Sequence, residues 1–136
     1  MAYADAQKDG VIKYGDNPST IKVMEAVKVG DALGYSSGWY KADNLAASLI
    51  HQRCVAGEDG AAEQEITAYF GTVILGGERL SGGTRGNKLY VSNATDGKYT
   101  ETISTTPTDG NKVVGYMITT IEAVLNPNAI ADSVVA

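Results

Sequence analysis

Ile66-Thr67-Ala68-Tyr69-Phe70-Gly71-Thr72-Val73-Ile74-Leu75 is the most apolar stretch of the 136-residue chain, and its reading decides the fold. Ile66, Ala68, Phe70 and Ile74 alternate with Tyr69, Val73 and Leu75, so both faces are apolar. The pattern predicts a central strand buried on both sides and extended by a bulge at Gly71. Val113 to Leu125 is a long β-branched run and predicts the second strong strand. Around these two, turn signals recur every ten or so residues. Gly30-Asp31, Ser36-Ser37-Gly38, Gly57-Glu58-Asp59-Gly60, Asp96-Gly97, Pro107 to Gly110 and Asn126-Pro127-Asn128 punctuate short apolar segments. That spacing belongs to an all-β sandwich or barrel.

Between the turns, residues 20–29 place Ile21, Val23, Val27 and Val29 on one face and Lys22 and Lys28 on the other, and read as a strand. Met24-Glu25-Ala26 leave a helix as the alternative. Residues 32–41 read as a hairpin that returns through Trp39 and Tyr40. Asn44 caps either a short helix carrying Leu45 and Leu49 or the approach to a strand from Leu49 to Val55. Residues 76–87 form a glycine-rich loop, Leu89 to Val91 a short strand, and Thr100 to Thr106 an extended segment. Residues 1–20, with Gly10, Gly15, Asn17 and Pro18, bury little and predict an N-terminal arm. The expected organisation is an arm over 1–20, a compact β-domain over 21–125 and a tail over 126–136.

The bulk chemistry limits what such a domain does. A net charge of -5 and scattered basic residues disfavour binding to a phosphate backbone, so no nucleic-acid partner is expected. No apolar run approaches the roughly 18 residues that span a bilayer, so no membrane partner is expected. The first eight residues lack a basic segment followed by an apolar stretch, which predicts no secretory signal. The single cysteine, Cys54, has no intrachain partner.

Four motifs invite a chemical reading and fail on context. Gly34-Tyr35-Ser36-Ser37-Gly38 has the spacing of a hydrolase nucleophile elbow, but a poor helix start follows it. Asp43 alone lies between Ser36 and His51, the one histidine. Gly77 to Thr84 has the glycines of a phosphate-binding loop without its lysine. His51 and Cys54 lack the further nitrogen or sulfur ligands that zinc requires. Glu58, Asp59, Glu63 and Glu65 do not follow a calcium-loop spacing and read as a solvated turn. Asn93-Ala94-Thr95 is a glycosylation sequon by chance. The sequence therefore predicts no enzyme, no cofactor and no metal.

One further pattern runs through the chain. Val27-Lys28-Val29-Gly30-Asp31-Ala32-Leu33-Gly34-Tyr35 opens it, and Arg53 to Gly60 leads into Ile66 to Val73. Leu89-Tyr90-Val91-Ser92, Gly97-Lys98-Tyr99-Thr100, Thr106-Pro107-Thr108-Asp109-Gly110 and Val113-Val114-Gly115-Tyr116 close it. Over residues 20–125 this order resembles the small capsid decoration, or cement, proteins of tailed phages. Residues 86–118 are the more distinctive part, and the helix-like stretch Asn44 to Gln52 departs from the pattern. The resemblance implies a β-barrel or β-tulip core on the outer surface of the phage head, made in the host cytoplasm. It implies a homotrimer that bridges major-capsid subunits. Tyr3, Val11, Ile12 and Tyr14 on the arm and Trp39 and Tyr40 in the hairpin are the expected contacts. A tail-tube, fibre or capsid β-module is the alternative, and a carbohydrate-binding sandwich with Trp39 and Tyr40 as platform is a further one.

Overall fold

The computed structural model describes Tyr3 and residues 8–136. The chain is all-β. Eleven strands are β1 Val11–Gly15, β2 Pro18–Lys22, β3 Ala32–Tyr35, β4 Trp39–Lys41, β5 Cys54–Ala56, β6 Glu65–Tyr69, β7 Val73–Gly76, β8 Lys88–Val91, β9 Tyr99–Thr100, β10 Gly115–Met117 and β11 Ala123–Leu125. They form two antiparallel sheets, a six-stranded one ordered β1-β7-β11-β10-β8-β9 and a five-stranded one ordered β2-β6-β5-β3-β4. Neither sheet closes into a barrel, and the architecture is a sandwich.

The apolar stretch 66–75 is two strands rather than one. β6 belongs to the five-stranded sheet and β7 to the six-stranded sheet, with the change of sheet at Phe70-Gly71-Thr72. The expected bulge at Gly71 is a corner. β1 and β2 turn the same corner beside it, at Asp16-Asn17, so a two-stranded ribbon passes from one sheet to the other. Backbone bonds continue through the bend: Asp16 N–H donates to the Thr72 carbonyl (3.1 Å), Gly71 N–H to Asp16 (3.1 Å) and Phe70 N–H to Asn17 (3.1 Å). Asn17 takes a left-handed conformation (φ 52°), which asparagine tolerates, and Pro18 then restarts the strand. A Cβ on Gly15 would lie 2.5 Å from the Tyr69 ring, and one on Gly71 would lie 2.9 Å from an Asp16 carboxylate oxygen. Glycine lets the two strands turn in contact.

This corner corrects the expected arm. Residues 11–15 and 18–20 lie in edge strands of the two sheets, β2 laddered along its length to β6 and β1 to β7 with one bulge at Lys13. As edge strands they are hydrogen-bonded to the sheet on one side only, and most of their residues are exposed. Residues 1, 2 and 4–7 of that expected arm lie outside the described residues. Val113 to Leu125 is likewise not one strand but the hairpin β10–β11. Its turn carries no glycine, proline or asparagine. Thr119 makes it, its hydroxyl accepting the Ile121 N–H at 3.2 Å. The hairpin at 32–41 forms as expected, from β3 and β4. The ambiguous stretch after Asn44 becomes one 3-10 turn at Ala46–Ser48.

Two cores follow from the alternation of side chains. Ala32 and Val55 of the five-stranded sheet meet Val73, Leu75, Leu89, Val91, Met117, Ala123 and Leu125 of the six-stranded sheet. On the other face of the five-stranded sheet, Ile21, Leu33, Cys54, Ala56, Ile66 and Ala68 gather with Val23 and Val27. A lone bridge from Val23 to Trp39 draws the continuation of β2 towards β4, so this sheet curls around its second core. Hence Cys54, Val55 and Ala56 are all fully buried, as a strand covered on both faces must be.

Candidate interaction surface

Over β1, β7, β11 and β10 the six-stranded sheet is covered on one face only, whereas Tyr90 on the outer side of β8 is buried. Ile12, Leu75, Ala123 and Met117 stand opposite one another across β1, β7, β11 and β10 and point towards the first core. The next row outwards consists of Tyr14, Ile74, Val124 and Tyr116, again opposite one another on the same four strands. Directly opposed residues share a face and touch, so these four form one apolar ladder on the open side. Tyr14 is 52% and Tyr116 44% exposed, with Ile74 and Val124 half-buried between them.

Charges frame this row. Lys88 follows Tyr116 on β8. Lys13, displaced from the ladder by a bulge between Ile12 and Tyr14, pairs with Glu122 just before β11. Exposed Ile118 and Ile121 extend the apolar surface along the β10–β11 hairpin. Beside the row lies a groove of about 260 Å³, lined by Thr72, Val113, Gly115, Tyr116, Val124 and Ile130 among others. The result is a contiguous open apolar row with a charged rim.

The six expected contact residues divide. Val11 (53% exposed) and Tyr14 lie on β1, and Tyr14 joins the apolar row. Ile12, their neighbour, packs against the first core. Tyr3 is not an open anchor, because it is 5% exposed and belongs to that same core. Burial and the nearby Glu101 carboxylate both raise its phenol pKa. Trp39 is half-buried against the second core, with edge-to-face contacts to Phe70 (5.5 Å) and Tyr35 (5.3 Å). Tyr40 is half-buried on the same strand, and neither residue reaches the row on the other sheet. Sequence reasoning did not place Tyr116, Ile74 and Val124 beside Tyr14, because the uninterrupted run 113–125 hides its hairpin and register alone aligns them.

The chemical motifs resolve into structure. Ser36 sits in the β3–β4 hairpin turn, where its N–H donates to Gly38 (2.8 Å), and no helix follows. Among the described residues no hydrogen bond joins Ser36 to His51. Burial lowers the His51 pKa and raises that of the enclosed Cys54 thiol to about 12, against the thiolate that a metal or nucleophilic role needs. Glu58 accepts the Thr67 N–H and Asp59 the Val29 N–H, so these acids close turns. No group of three metal-ligating side chains gathers among the described residues.

One buried charge cluster escaped sequence reasoning. Asp31 accepts Arg79 Nη2 (2.7 Å) and Lys98 Nζ (2.8 Å) on one oxygen and the Lys28 N–H (3.0 Å) on the other. Arg79 Nε also donates to the Lys8 carbonyl (2.8 Å). Burial lowers the Lys98 pKa, and Asp31 opposes the shift. The carboxylate is fully engaged, so the cluster ties the turn before β3, the glycine-rich loop and the β8–β9 turn together rather than offering a reactive group. No sequence spacing links positions 31, 79 and 98. Comparison with family models, with curated proteins and with solved structures finds no match for this chain.

Proposed function

We propose that this protein is a structural, non-enzymatic component of a phage head, a decoration protein that binds the outer surface of the shell. Its partners in this reading are the major capsid protein and other copies of itself, as a homotrimer bridging capsid subunits. The observation that carries the binding role is the apolar row Tyr14–Ile74–Val124–Tyr116, held on four hydrogen-bonded strands and left open to solvent. Rigid tyrosines offer large contact area at little entropic cost, which suits a repeated interface. The choice of partner rests on the resemblance over residues 20–125. The net charge of -5 supports a place outside the shell, away from packaged DNA.

The test is to mix the purified chain with shells stripped of accessory proteins, sediment the particles and map them at low resolution. The reading expects co-sedimentation and added density on the outer head surface with threefold or quasi-threefold symmetry. Density on a tail or fibre, or no binding to shells, overturns it. The second outcome would favour a role away from the capsid, and the first another virion module.

A further inference from the structure

The C-terminal residues are attached in an unusual way. Residues 128–134 are all exposed, so this segment adds almost nothing to either core. It runs instead as a thin ladder beside residues 108–111. Thr108 N–H donates to the Val135 carbonyl (2.9 Å), Val135 N–H to Asp109 (2.9 Å) and Asn111 N–H to Ser133 (3.1 Å). Val134 bridges Gly110.

Three side chains anchor this segment: Asn128 Nδ2 donates to the Arg53 (2.7 Å) and Phe70 (3.0 Å) carbonyls, Ser133 Oγ donates to Asn111 Oδ1 (2.6 Å), and Asp132 makes the charged contacts. Asp132 accepts two bonds from the Arg53 guanidinium (2.7 and 2.5 Å) and one from Lys112 Nζ (2.8 Å). The Lys112 side chain is 3% exposed, and its other acceptors are the carbonyls of Pro127 (2.8 Å) and Gln52 (3.4 Å). Two of its three acceptors therefore come from the C-terminal part of the chain. Ala129 and Ile130, just before the anchor, form a wall of the groove beside the apolar row.

We propose that Arg53 and Lys112 form a carboxylate cradle that Asp132 occupies as a latch, and that residues 128–136 are a strap this latch holds shut along the groove. Releasing the latch frees the strap and opens the groove from the Ile130 side while both sheets stay folded. Without the charge-assisted bonds only exposed neutral bonds hold the strap, those of Asn128, Ser133 and the thin backbone ladder, and hydrogen bonds to charged groups are the stronger ones. Because the device lies within one chain, it stands or falls independently of what docks on the sheet face.

Hydrogen exchange of the full chain tests it, with peptides covering 107–112, 128–136, β7 and β11. In Asp132→Asn, exchange at 107–112 and 128–136 should rise on the order of tenfold or more, with β7 and β11 unchanged. Arg53→Gln should give the same pattern from the other side of the latch, and Asp132→Glu should keep most of the protection. Unchanged tail exchange in Asp132→Asn overturns the proposal. So does equal loss of protection in β7 and β11, since the segment would then be an integral part of the fold.

Discussion

The two sheets use apolar residues differently. The five-stranded sheet buries both of its faces, and each of its strands β3, β5 and β6 sends alternate residues into two separate cores. The six-stranded sheet buries one face and leaves a comparable apolar row on the other. Folding accounts for every large apolar side chain of β3, β5 and β6 except Tyr35. It leaves Tyr14 and Tyr116 about half exposed, so much of their apolar surface stands in water. The difference separates residues that hold the domain from residues available to a partner.

The comparison breaks most severely through a charge in the two-sided sheet. Leu33→Asp places an unpaired carboxylate in the second core and should leave no cooperative unfolding transition, as read by circular dichroism during urea titration. A stable Leu33→Asp domain would mean that the second core is dispensable. Asp31→Ala should cost about 3–5 kcal/mol in the same titration, because Arg79 and Lys98 stay buried without their shared carboxylate. A change under about 1 kcal/mol would show that the cluster reaches water.

A smaller effect separates the two sheets by pH. The Cys54 thiol has its pKa raised to about 12 by burial, so the folded state keeps a proton that the unfolded chain loses near pH 8.5. Stability contributed by that thiol is whole below about pH 8.5 and falls as pH rises above it. Cys54→Ala should lack this decline between roughly pH 8.5 and 10, below the range where the buried Tyr3 and Tyr99 phenols, also raised by burial, add their own loss, while carrying a constant cost for the lost packing. An identical decline in the variant would place its origin elsewhere.

Much of the fold was legible in residue order. The turn signals announced an all-β sandwich, and Ser36-Ser37-Gly38 and Asp96-Gly97 announced hairpins that the structure contains, whereas the single two-sided strand expected over 66–75 is two strands in different sheets. The corner was not legible, because an apolar run looks the same whether it continues in one sheet or passes between two. The Asp16-Asn17 turn beside it read as part of an arm for the same reason: its meaning depends on Gly71 being its neighbour. The β10–β11 turn was hidden because threonines make it. Tyr14 was singled out as a candidate contact from its place on the chain, but the row it belongs to requires the register of four strands. Asp31, Arg79 and Lys98 meet only through topology.

The central claim is that the outer face of the six-stranded sheet is for binding and not for folding. The most direct test is the double variant Tyr14→Ser, Tyr116→Ser, measured for both urea stability and sedimentation with stripped shells. The account predicts stability within about 1 kcal/mol of the parent, as for two exposed positions, together with loss of shell binding. Full binding by a stable double variant would contradict it.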